Sequence, residues 1–164
     1  MARTEAVRSS PSPTNDADRT LVVTRQLKAP RELVFKAWTD SAHLVRWWGP
    51  QGFTIPECRM DVKPGGAWHT VMRSPDGQQH RVGGVFREIA PPEKLVLTWA
   101  WEDDKGKSGH ETVITVEFRD RNGSTELVLT QRLFESIQAR DLHSQGWTST
   151  FEKLGAFIAE TKGE

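Results

Sequence analysis

Apolar residues change their spacing twice along the chain. Residues 1–19, "MARTEAVRSSPSPTNDADR", show no apolar period and mix Ser, Pro, Thr, Asn and charges, the composition of a disordered tail. From Leu21, "LVVTRQLKA" reads as a strand that Ala29-Pro30 ends, because the residue before proline is pushed out of the helical region. Pro30 then suits the first turn of a helix, "PRELVFKAW", whose Leu33, Val34, Ala37 and Trp38 share one face. Asp40 has the chemistry of an N-cap for a second short helix, expected to end at Trp48. From Phe53 to Leu133 the period drops to two. "LVLTWAW" puts Leu95, Leu97, Trp99 and Trp101 on one face of a strand, and Thr112, Ile114, Val116 and Phe118 line one face of the next. Turn chemistry interrupts this region at Pro64-Gly65-Gly66, "SPDG" (74–77), Pro91-Pro92, "DDKGK" (103–107) and "RDRNG" (119–123). The intervals are too short for crossover helices, so the strands pair as antiparallel hairpins. From about Ile137 to Thr161 the helical period returns, with Leu142, Trp147, Phe151, Leu154 and Ile158 on or near one stripe. A helix of about 24 residues spans roughly 36 Å, enough to cross a twisted sheet of about six strands.

The pattern predicts an α+β domain over residues 20–162: a curved antiparallel sheet of about six strands wrapped around a long C-terminal helix, with two short helices after the first strand. Such a sheet, curling about a helix and plugged at one end, leaves space between the two layers. Composition adjusts this picture in a few places. The 164 residues are 36% hydrophobic, enough for a single core. Lys plus Arg and Asp plus Glu balance at 22 each, so no basic excess points to nucleic acid or an anionic membrane. One cysteine, Cys58, rules out an internal disulfide framework and suits a reducing cytosol; with no long apolar span or signal-like segment, a cytoplasmic location is expected.

The aromatic inventory is skewed, with seven Trp, seven Phe and no Tyr. Trp38, Trp47, Trp48, Trp68, Trp99, Trp101 and Trp147 come from the elements that would bound the space, together with Met72, Phe86, Phe118, His143 and Phe151. These residues are candidates to line a pocket for a flat or apolar ligand; each ring serves equally as core filler. In "VRWWGPQGF" two tryptophans run into a helix break, so one ring is expected to face inward and the other to close the rim, with residues 49–52 as a lip. Gly146, inside the last helix, either widens the pocket beside Trp147 or admits a closely packed neighbour. The pairs Gly65-Gly66 and Gly83-Gly84 read as shapers of sheet curvature.

Chemistry-bearing motifs are sparse. His43, His69, His80, His110 and His143 fall at no metal-ligand spacing with one another or with Cys58, so no metal or other cofactor is expected. His143, one turn before Trp147, could face the space as a hydrogen-bonding group or base, or bond to backbone. Arg59, Asp61 and Glu111 would be strongly perturbed if they pointed into an apolar cavity, and would act as acid, base or clamp; on the other strand face they are surface ion pairs. Cys58 has no His partner and reads as a small buried hydrophobe.

Five runs in order, "APRELVFKAWTDSAHLVRWWGP", "KPGGAW", "GVFREIAPPEKLVLTW", "TELVLTQ" and "HSQGW", resemble the family related to the C-terminal domain of the activator of the ninety-kilodalton heat-shock-protein ATPase. That family lies within the START-like, birch-pollen-allergen-like superfamily. The resemblance covers about residues 20–160 and implies a helix-grip fold with an internal cavity. Relatives include lipid and polyketide binders, aromatase or cyclase domains, self-sacrifice resistance proteins and chaperone partners, so fold alone does not choose an activity. Three functions stay open: binding of a small hydrophobic molecule, a cyclase, dehydratase or hydrolase using the same cavity, and an interaction module for a chaperone or other protein. A homodimer is compatible with each.

Overall fold

The computed structural model describes residues 16–162. The expected tail, residues 1–19, lies outside the described residues except for its last four, which include a short turn at Ala17–Arg19. Strand β1 (Leu21–Leu27) leads to α1 (Arg31–Thr39), and α2 (Ser41–Leu44) follows. A continuous meander comes next: β2 (Thr54–Met60), β3 (Ala67–Arg73), β4 (Gln79–Ala90), β5 (Lys94–Glu102), β6 (Ser108–Arg121) and β7 (Ser124–Arg132). Helix α3 (Ile137–Lys162) is the last described element. All strands join one antiparallel sheet in the order β1-β7-β6-β5-β4-β3-β2. The sheet therefore has seven strands rather than about six: the five turns between Phe53 and Leu133 delimit six strands, and β1 adds itself to the β7 edge.

Local chemistry accounts for the helices. Pro30 is the N-cap of α1, so the helix begins at Arg31, one residue after the expected start, and Val34, Phe35, Ala37 and Trp38 are the buried face. The Asp40 carboxylate accepts from the Ala42 amide, satisfying an orphan donor at the start of α2. That helix stops at Leu44, short of Trp48, and residues 45–47 continue as turns. On α3 the buried positions Trp147, Phe151, Leu154 and Ile158 form the packed stripe, joined by Phe157. Leu142 lies off the stripe and is 68% exposed.

The sheet's concave face carries Leu95, Leu97 and Trp99 of β5 and Thr112, Ile114, Val116 and Phe118 of β6, all buried against α1 and α3. One departure from regular pairing follows from Gly84. A Cβ there would sit 2.1 Å from the Thr98 carbonyl oxygen, a contact only glycine avoids. Across this bare position the Trp68 indole donates to the Thr98 carbonyl (2.9 Å), and the Thr98 hydroxyl accepts from the Val85 amide (2.9 Å). Side chains thus satisfy the backbone groups where the β4–β5 ladder is interrupted, and the sheet bends there.

Candidate functional site

Rings, not voids, fill the middle of the molecule. Trp38 lies 4.9 Å from Trp47 and 6.1 Å from Trp147 between centroids, with Phe118 and Phe151 also against it. The space beneath it, among Trp38, Leu44, Trp48, Trp68, Phe86 and Leu97, amounts to about 10 Å³, the room of a single water at most. Trp38, Trp47, Trp68, Phe86, Phe118 and Phe151 are all buried and line no part of the larger cavity described next. Their apolar faces are consumed by neighbouring rings in edge-on contacts typical of packed aromatics.

Toward the N-terminal half of α3 the two layers separate and leave a cavity of about 320 Å³. Trp48, Trp99 and Trp147, mutually 5.4 to 5.9 Å apart, form its base. Trp101 of β5 stands at one wall with His143 and Leu142, and Met72, His80 and Phe53 form the facing wall. The loop residues Gly49 and Pro50 complete the rim, and Gly146 and Thr150 of α3 lie along the side. At the mouth Trp101 is 37% exposed.

Six of the twelve apolar and histidine candidates, Trp48, Met72, Trp99, Trp101, His143 and Trp147, come together here. The "VRWWGPQGF" run is arranged differently from expectation, since both rings are buried. Trp47 is wholly enclosed and donates to the Ala37 carbonyl (3.1 Å), while Trp48 faces the cavity and donates to the Thr70 hydroxyl (3.1 Å). Closure of the rim falls to Trp101, Leu142 and the loop. Phe53, His80, Leu142 and Thr150 were missed as lining residues. For Thr150 a signal existed: His143, Gly146, Trp147 and Thr150 recur at three- and four-residue spacing along one helix face. Phe53 and His80 carry no such signal, because a loop end and a strand start meet only through the fold.

Gly146 opens onto this space: beyond its chain neighbours and its own helix backbone, no described atom lies within 4 Å of where its Cβ would be. Of the two readings the sequence left, the widened cavity is the one present, and no neighbouring strand or helix closes on it. His143 is both backbone-bonded and cavity-lining. Its Nδ1 lies 2.7 Å from the Ala139 carbonyl, and the Trp101 indole N–H donates to its Nε2 (2.9 Å). Those two contacts require a neutral ring protonated at Nδ1. Burial lowers its pKa, opposed by the Ala139 carbonyl and by Glu135.

The polar candidates face away. Arg59 and Glu111 sit opposite His69 and Ala100 on the convex face, alternating with the inward Cys58, Met60 and Thr112. Arg59 pairs with Glu57 (2.9 Å), Asp61 with Lys63 (3.5 Å) and Glu111 with Arg87 (3.5 Å), all well exposed. They edge a shallow outer groove with His69, which lies 3.2 Å from Glu102. Cys58 packs partly buried against the core, and desolvation pushes its thiol up to about 11, so the nucleophilic thiolate is disfavoured near neutrality. Among the described residues no group of three or more His, Cys, Asp or Glu converges to hold a metal ion, and no helix is long and apolar enough to cross a membrane.

One charged group supports the cavity from behind. The Lys153 ammonium donates toward the carbonyls of Trp48 (3.0 Å), Gly49 (3.2 Å), Pro50 (3.4 Å) and Phe53 (3.4 Å). A second tie runs from the Gln51 amide to the Ser149 hydroxyl (2.9 Å), so α3 holds the rim loop at two points.

Comparison with known proteins places these features in a family. The human "Activator of 90 kDa heat shock protein ATPase homolog 1" is 31% identical over 97 residues, covering 59% of this chain and 26% of its own length. The mouse protein of the same name is 30% identical over the same extent, so the chain spans about a quarter of these relatives. Among solved structures, a protein of this type from Silicibacter pomeroyi shares 30% identity and a TM-score of 0.81, covering 87% of this chain and 99% of its own. A protein from Nitrosomonas europaea shares 25% identity and a TM-score of 0.76, covering 92% and 100%. The family model described as "Activator of Hsp90 ATPase homolog 1-like protein" matches residues 28–159, and with that match spanning most of its length, the chain belongs to this family.

Proposed function

We propose that the protein binds a small hydrophobic or aromatic molecule in the cavity between α3 and the sheet. The observation that carries this reading is the open volume beside Gly146, about 320 Å³ and edged by four indoles in an interior otherwise packed solid with rings. A glycine within a helix costs about 1 kcal/mol relative to alanine. Here that cost preserves space rather than a contact, as expected of a site kept open. Catalysis in the same cavity is less well supported, because the lone pair of His143 Nε2 is already engaged by Trp101.

Titrating tryptophan emission with apolar and aromatic compounds tests this directly. Saturable quenching or shift is expected in the wild type. Gly146→Met, whose side chain would enter the empty volume, should abolish the response while circular dichroism shows a native fold. Undiminished binding by Gly146→Met would place the ligand elsewhere and sink the reading. The names of the human and mouse relatives favour a second one, association with a heat-shock-protein ATPase of the ninety-kilodalton class. Its test is whether the purified protein changes the ATP hydrolysis rate of such a chaperone; an unchanged rate counts against it.

A further inference from the structure

We infer that the cavity selects uncharged planar aromatic molecules, bearing at most a hydroxyl-type donor, over carboxylates, phosphates and ammonium ions. This deepens the binding reading above and rests on it. Among the described residues no Asp, Glu, Lys or Arg lines the space, so a charged ligand would find no carboxylate, ammonium or guanidinium counterion there. His143 does not supply one, because its two hydrogen bonds demand the neutral ring.

An anion also needs donors, and among the described lining side chains all but the Trp99 and His80 ring N–H groups are committed. The N–H groups of Trp48, Trp101 and Trp147 go to Thr70, His143 and Gln131, and the Trp99 N–H is buried without a partner. Behind the rim, the three ammonium hydrogens of Lys153 face four loop carbonyls, leaving none for a carboxylate. An ammonium ligand would be drawn to the indole faces but repelled by that same lysine, with no acidic side chain to offset it. What remains available is an acceptor. The Thr150 hydroxyl donates to the Gly146 carbonyl (2.8 Å), so its oxygen keeps lone pairs for a ligand O–H. The indole surfaces of Trp48, Trp99 and Trp147 favour a flat ring system over a flexible chain, which would lose more conformational freedom on binding.

Calorimetric titration of the full chain with a matched set, at about pH 7.5 where the charges are fixed, tests the inference: 2-naphthol, 2-naphthoate, (2-naphthylmethyl)trimethylammonium and 1-decanol. 2-Naphthol is expected to bind at least about tenfold more tightly than each of the others, and Gly146→Met should remove that binding. Comparable or tighter binding of naphthoate or the ammonium compound, lost in Gly146→Met, would overturn the charge selectivity while leaving the cavity reading intact. Decanol matching naphthol would overturn the preference for flat rings in the same way. No binding by any of the four to a folded wild type would bring down the cavity reading and this inference together.

Discussion

His143 shows how one residue couples the cavity to pH. Its neutral form is the one the fold accommodates, so folding releases a proton wherever the unfolded chain, with an ordinary value near 6.5, would carry one. The depressed folded-state value means its contribution is fully present above 6.5 and is lost as pH falls through the lower folded value. Glu135 works weakly against the shift, and the rings of Trp99, Trp101 and Phe134 pack around the imidazole. In urea unfolding, the wild type should therefore lose stability relative to His143→Gln as pH drops below 6.5, with the two profiles running parallel above it. Parallel profiles throughout would show that His143 protonates without penalty. Much at this scale was legible beforehand. Asp40 as a cap, Gly84 as a shaper of the sheet and Cys58 as an inert thiol follow from local chemistry. Whether Arg59 or Glu111 pointed in or out did not, because a single bulge reverses strand parity, and β2, which carries Arg59, is irregular between Thr54 and Glu57.

At the scale of elements, the informative pair is α3 and the loop over residues 48–53. Gly49 and Gly52 have φ of 81° and 88°, conformations that leave the loop backbone free of strain only with glycine. The loop carbonyls turn toward Lys153. Partial burial lowers the lysine pKa, yet four acceptors make the ammonium the form that organises the loop. Replacing it by methionine keeps the length of the side chain and removes the donors. Lys153→Met should lower stability by about 1–3 kcal/mol and speed hydrogen exchange of the amides at 49–53, leaving those of β5 and β6 protected. Unchanged exchange in the loop would mean that the Gln51–Ser149 bond holds it unaided. The periodicity of α3 was readable from Trp147, Phe151, Leu154 and Ile158. The partnership of Lys153 with a loop a hundred residues away was not, since nothing in local spacing marks a lysine whose acceptors are backbone atoms.

For the molecule as a whole, hairpin turns at predictable positions made the meander, and so the fold class, plain in the sequence. The position of the cavity was harder to read. Seven tryptophans announce an aromatic interior, but which of them close-pack and which stand back depends on offsets between layers that no one strand encodes. The order of the sheet has one more consequence, in the time domain. From β2 to β7 every strand pairs with its neighbour in sequence, whereas β1 must reach across the chain to set Leu21 beside Gln131 and Leu27 beside Thr125. Closing that long loop is entropically expensive, so the meander should assemble first and β1 dock after the rate-limiting barrier. Leu27→Ala, at a buried position, should then accelerate unfolding and leave refolding nearly untouched, while Ile114→Ala in the sheet centre slows refolding. Stopped-flow chevrons giving Leu27 the larger effect on refolding would reverse that order. In this family member the strand of the sheet that is synthesised first would be among the last to find its place in it.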